Sequence, residues 1–203
     1  NYRDYAFASL GRFDYSPADC FEFHAAVANT VVPIINHQAE KRKKTLGLEA
    51  LKPWDKSVDV LGRKPLKPFE TGQELLDKTI QVFENIDPFL SDCLKEMVKL
   101  DRFDLDSRKG KNPGGYNYPL EESGFPFIFM NAAGQVRDMV TLLHEGGHAV
   151  HSILTKDLAL NAFRNFPSEV AELASMSMEL ITMDQWDQYF QDPKDAKRAK
   201  IKH

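Results

Sequence analysis

The sequence predicts a mainly α chain with one short β-element, and three observations carry that prediction. Apolar residues recur at spacings of three and four through residues 71–83, 88–98 and 136–154, the period of a helix with one buried face. Helix-start signals stand ahead of several helical stretches: Ser16-Pro17, Thr71 with Glu74 three residues on, Pro88, and Pro167-Ser168. One stretch, residues 125–131, reads as a strand, aromatic and preceded by Gly124.

In chain order, residues 1–15 are aromatic and mixed, a loop or short helix. Ser16 caps a helix with Pro17 at its first position, and Phe21, Ala25, Ala28, Val31, Val32 and Ile35 form the expected inward stripe. Pro33 should kink it. The run Lys41–Lys44 suits the solvated C-terminal end of that helix, where cations complement the macrodipole. Residues 47–70 are irregular, with Pro53, Pro65 and Pro68, and with Trp54-Asp55 as the expected anchor. Thr71 to Glu74 reads as a capping box opening a helix with Leu75, Leu76, Thr79, Ile80 and Phe83 inward. Pro88 starts the next helix, whose stripe is Phe89, Leu90, Cys93, Leu94, Met97 and Val98. From Asp101 to Gly124 the periodicity breaks. The Gly-rich run 108–116 lacks phosphate-loop spacing and is expected to be a flexible loop or hairpin at the rim of a cleft. The strand at 125–131 either offers an edge on which an extended peptide could add or is wholly covered and has no role in binding substrate. Two parts are expected: residues 1–70, helical with an irregular linker, and residues 71–203, helices with a short strand.

The most informative stretch is Thr141-Leu-Leu-His144-Glu145-Gly146-Gly147-His148-Ala-Val-His151. Val136, Met139, Val140, Leu143, Gly147, Val150 and Leu154 make a helical stripe through it. At ~100° per residue, His144 and His148 project one above the other. Two imidazoles stacked in this way reach one cation at about 2.0–2.1 Å. Glu145 leaves the helix beside them, placed to hold a water without ligating the ion. Gly146 and Gly147 each cost ~1 kcal/mol against Ala in mid-helix, so the backbone is expected to need room there.

A third ligand must come from elsewhere. The position ten residues after His144 is Leu154, not His. His151 shares the face of His144, but a single helix supplying three ligands would crowd the open position that catalysis needs. The better candidate is a carboxylate on the helix begun by Phe166-Pro167-Ser168. Glu172 is expected to be buried among Val170, Leu173, Ala174 and Met176. Glu179, two turns on, suits the orienting of a ligand histidine. Glu169 is expected to be solvated.

Several runs together resemble the catalytic region of the oligoendopeptidase F family of zinc peptidases, relatives of thimet oligopeptidase. They are Gly110–Tyr116, Phe125–Asn131, Asp138–Ser152 and Pro167–Glu179, and Asn1–Tyr5 and Arg12–Pro17 resemble that family too, so the likeness spans essentially the whole chain. The resemblance implies a zincin-like helical catalytic domain with a small β-sheet or hairpin beside the zinc helix. It implies one zinc ion per chain on His144, His148 and Glu172, with Glu145 as general base. Glu179, His151, Asn131 and Tyr116 are further candidates for orienting a ligand or contacting substrate. It also implies internal cleavage of short peptides by a zinc-bound water. Members of that family are longer, with a helical lid before this region and a Tyr- and His-bearing segment after it. The chain therefore reads as a truncated catalytic region, and an inactive or scaffolding zinc-binding fragment is the alternative.

Composition bounds the rest. An apolar fraction of 42% and a charged fraction of 28% are those of a soluble globular protein. A net charge of −4 argues against nucleic acid as a partner. No apolar run approaches the ~20 residues of a membrane span. Cys20 and Cys93 have no framework spacing and read as reduced thiols, which places the chain in the cytoplasm.

Overall fold

A computed structural model describes residues 3–11 and 15–203; the sequence reading at residues 1, 2 and 12–14 lies outside them. The chain divides into two compact units, one up to Pro65 and one from Leu66.

The first unit is helical. Asp4 caps α1 (Tyr5–Leu10), accepting from the Phe7 amide at 3.1 Å. Ser16 and Asp19 form a reciprocal capping box at the start of α2 (Pro17–Ala26). A π-helical segment, Val27–Val31, joins α2 to α3 (Val32–Leu46). Pro33 explains it: its ring would crowd the carbonyl of Asn29, four residues back, in a regular α-helix, and its nitrogen cannot donate. Gly47, at φ 68°, ends α3 in the left-handed conformation that glycine adopts without strain. Two expectations change here. The Phe21–Ile35 stripe is exposed among the described residues, because periodicity names an apolar face but not its cover. The Trp54 side chain is exposed as well. Of the expected Trp54-Asp55 anchor it is Asp55 that orders the turn: its side chain accepts from the Lys52 amide and its carbonyl from Arg42 Nε.

The second unit packs helices around a three-stranded sheet. Its helices are α4 (Gly72–Ile86), α5 (Pro88–Lys99), α6 (Val136–Thr155), α7 (Asn161–Arg164), α8 (Ser168–Thr182) and α9 (Pro193–Lys202). A 3-10 segment, Met183–Tyr189, joins α8 to α9. Thr71 caps α4 as expected, accepting from the Glu74 amide at 3.1 Å. The return half differs, since Glu74 accepts from the Glu70 amide and not from Thr71. Leu75, Leu76, Val82 and Phe83 of α4 meet Cys93, Leu94 and Met97 of α5 in the core, with Leu142, Leu143 and Ile153 of α6. Phe89 and Val98, expected in the α5 stripe, are exposed. In α6 the buried face is wider than the stripe and takes in Leu142, Gly146, Ala149 and Ile153, while Leu154 turns out to solvent.

The sheet holds β1 (Phe103–Asp106), β2 (Tyr116–Tyr118) and β3 (Phe127–Ala132) in the order β1-β3-β2. β3 runs parallel to β1 and antiparallel to β2, with Asn117 opposite Ile128. It begins two residues later than the sequence suggests, because Pro126 has no amide for the ladder. β3 is therefore the middle strand with both edges paired, so it offers no free edge itself. The two flanking strands are short and mixed in polarity, so alternation could not reveal them.

The segment between β1 and β2 is tethered, contrary to the flexible loop expected. Lys111 is 1% exposed at its side chain, and its Nζ donates at 2.9 Å to Asp104 O, Asp104 Oδ1 and Asp106 O. Arg108 makes two further bonds to Asp104 at 2.6 and 2.9 Å. The hydrogen bond from Arg108, with Lys111 adding to it, draws the Asp104 carboxyl down to about 2. Asn131 closes the far side, its Nδ2 donating to Asn112 O and Gly114 O. Those bonds occupy the Asn131 amide in holding the loop that leads into β2.

Candidate active site

The site forms where α6 and α8 cross. Gln135 precedes α6 as its cap, with the Asp138 carboxylate accepting from the Gln135 and Ala133 amides. Its close approach to α8 depends on Gly147. A Cβ placed there would lie 2.8 Å from Ser175 Cα and 3.0 Å from Ala174 O, atoms of the α8 backbone. Any larger residue would hold the two helices further apart. Gly146 sits against the Phe83 ring on the side facing α4, at 2.9 Å from a Cβ position.

This crossing brings Glu172 to the two histidines. His144, His148 and Glu172 each offer a ligand-capable atom within 4.8 Å of the others. His144 Nε2 is 3.3 Å from Glu172 Oε2, and His148 Nε2 is 3.9 Å from Glu172 Oε1. The two rings stand 4.8 Å apart and nearly perpendicular, at 88°. Four ligands around zinc at bond lengths of ~2.0–2.1 Å are separated by ~3.3–3.4 Å in a tetrahedron. The His144–Glu172 pair, at 3.3 Å, matches that value and the His148–Glu172 pair, at 3.9 Å, is wider, and two imidazoles with a carboxylate are a zinc donor set.

Burial grades the cluster. Burial, then the neighbouring His144, lowers the pKa of His148, which favours the neutral imidazole with a lone pair to share. Glu172 is 52% exposed at its side chain. That corrects the sequence expectation: Val170, Leu173 and Met176 point outward, and α8 buries Ser175, Met178 and Thr182 instead. Glu172 is held by a residue the sequence reading passed over. Ser175 Oγ lies 3.1 Å from Glu172 Oε2 and 3.0 Å from the Glu172 carbonyl.

Glu179 lies behind the cluster. Its Oε1 is 2.6 Å from His144 Nδ1, so the ring nitrogen facing away from the cluster has a carboxylate partner. Glu145 is 7% exposed and sits beside the histidines without joining them. Burial raises its pKa, opposed by His144 and by a hydrogen bond from the Asn117 backbone amide. That bond also places the β2 strand directly against the site.

The other candidates fall elsewhere. His151 stacks on Phe166 with ring centroids 4.0 Å apart and leaves its buried Nδ1 without a partner. Tyr116 stacks on Phe129 at 5.0 Å on the exposed β2 edge. Among the described residues no helix is long and apolar enough to cross a membrane.

Comparison with known proteins identifies the family. The profile of peptidase family M3 matches residues 1–203. Oligopeptidase PepF of Bacillus subtilis is 27% identical over 165 residues, covering 81% of this chain and 24% of that protein. An oligoendopeptidase F homolog of Borreliella burgdorferi is 30% identical over 158 residues, covering 75% and 26%. A solved structure of Pz peptidase A with an inhibitor matches at TM-score 0.86 and 29% identity, covering 98% of this chain and 35% of that one. The chain spans about a quarter of the length of these curated relatives. With a match along its whole length, the chain belongs to peptidase family M3, among its oligoendopeptidase F-type members.

Proposed function

We propose that the chain carries the zinc-binding catalytic core of a metallopeptidase that cuts internal bonds of short peptides. The observation that carries this reading is the convergence of His144, His148 and Glu172 beside a buried Glu145. In it, the Nε2 atoms of both histidines and a Glu172 oxygen hold the ion. Zinc, when bound there, polarises the scissile carbonyl and makes a water molecule acidic near neutral pH.

The chain's own residues supply the rest. Glu179 accepts the Nδ1 proton of His144, which leaves the Nε2 lone pair directed at the cluster. Ser175 limits the swing of the half-exposed Glu172. Glu145 takes the proton of the attacking water and returns it to the leaving amine. A carboxyl whose pKa is raised by burial is better matched to that exchange than an ordinary glutamate. A cytoplasmic setting fits the two free cysteines.

The test uses a quenched-fluorescence peptide blocked at both ends. The purified chain is expected to cleave it internally, to stop on chelation, and to resume when zinc is restored. Cleavage that survives chelation, or activity confined to free peptide ends, would contradict the reading.

A further inference from the structure

The Glu179 carboxylate serves two imidazoles. Its Oε1 faces His144 Nδ1 at 2.6 Å, and its Oε2 lies 3.2 Å from His203 Nε2. Glu179 is 14% exposed at its side chain, so both contacts are made largely out of solvent. His203 directly follows α9 and keeps its amide on the Ala199 carbonyl at 3.2 Å. Its ring rests on Trp186, with centroids 5.3 Å apart. Trp186 is fully buried and donates from Nε1 to Thr182 Oγ1, which in turn lies 3.0 Å from the Glu179 carbonyl. The His203 ring is therefore held by the same turn of α8 that carries Glu179.

A carboxylate with one partner turns easily, because the last torsion of a glutamate side chain is broad. Engaging Oε2 restricts that turn and keeps Oε1 on His144. We propose that His203 is a positioning residue of the metal centre, acting through Glu179 on the orientation of the His144 ring. This rests on the reading of His144 as a zinc ligand.

Removing the direct partner of a ligand histidine typically weakens metal binding by about 10- to 100-fold. His203 stands one contact further out, so a smaller loss of about 3- to 10-fold is expected.

The experiment measures zinc affinity of the 203-residue chain at neutral pH, by competition with a chromophoric chelator. His203→Phe keeps a ring for Trp186 but cannot reach Glu179 with a donor. His203→Gln keeps an amide donor and loses the ring. The expected order is an affinity loss in His203→Phe and recovery to within about twofold in His203→Gln. In a Glu179→Ala background, His203→Phe should cause no further loss, since contacts in one network are not additive. Far-UV circular dichroism and the thermal midpoint of each metal-free form report on the helices separately.

Unchanged affinity in His203→Phe would overturn the proposal. So would an equal loss with and without Glu179, or a failure of Gln to recover what Phe loses, since both point to packing on Trp186. Absence of zinc uptake by the unsubstituted chain is a different result, and it would overturn the metal reading itself.

Discussion

Glu145→Gln is expected to lower peptide hydrolysis by about 10²- to 10⁴-fold, the range supplied by a positioned general acid–base, while the zinc content stays unchanged. Glutamine has nearly the same shape, so the contacts of the buried side chain survive. Its amide cannot accept the proton of the attacking water. The same substitution has a stability signature whose sign follows from the pKa. The folded pKa of Glu145 is raised by burial, so folding favours the protonated carboxyl. Stability from this group is present at low pH and is lost as pH rises through the raised value. Glu145→Gln should therefore raise the thermal midpoint of the metal-free chain at pH 8 relative to unsubstituted protein. It should have little effect near pH 4. Near-normal turnover in the glutamine variant would remove Glu145 from the mechanism.

Gly147→Val is expected to disable the site without touching a ligand. The new Cβ would meet Ser175 Cα and Ala174 O at 2.8 and 3.0 Å, and backbone atoms cannot rotate aside. The helices must part, and overpacking of this kind costs about 1–3 kcal/mol. As α8 moves outward, Glu172 is carried away from His144 and His148, so zinc affinity should fall by more than about 10-fold. Gly147→Ala is the sharper control. Alanine favours the helix by ~1 kcal/mol, yet it carries the same clashing Cβ, so it should destabilise nonetheless. Gly146→Ala faces the Phe83 side chain, which has more freedom to shift, and should lose less. A more stable Gly147→Ala chain with undiminished zinc affinity would show that the crossing tolerates more room than its geometry implies.

Much of this site is legible in the amino-acid sequence. Periodicity places His144 and His148 on one face of a helix, because a 3.6-residue repeat fixes directions along that helix without outside information. The caps at Ser16 and Thr71 are readable for the same reason, since capping is a contact over three residues. Relations between elements are not. The stripe of α8 looks like a burial face for Glu172, but the crossing at Gly147 selects Ser175, Met178 and Thr182 as the buried side and leaves Leu173 and Met176 outside. Ser175 follows Glu172 by three residues on α8, a spacing that the sequence does carry; His203 reaches the Glu179 carboxylate only through the packing of the chain end after α9, and nothing in its position signals it. The sheet is the least visible part. Tyr116–Tyr118 is too short for alternation to register, and the Gly-rich run before it reads as mobile. Its order comes from a buried Lys111 and from the Asn131 amide, both reaching across the fold.

The central claim is that one zinc ion is held by His144, His148 and Glu172, and the most direct measurement is zinc per chain in single-alanine variants purified without chelator. The account predicts about one zinc in the unsubstituted chain, retention in His151→Ala, and a loss in Glu172→Ala approaching that of His148→Ala. Full zinc content in Glu172→Ala, with the loss appearing in His151→Ala instead, would contradict it.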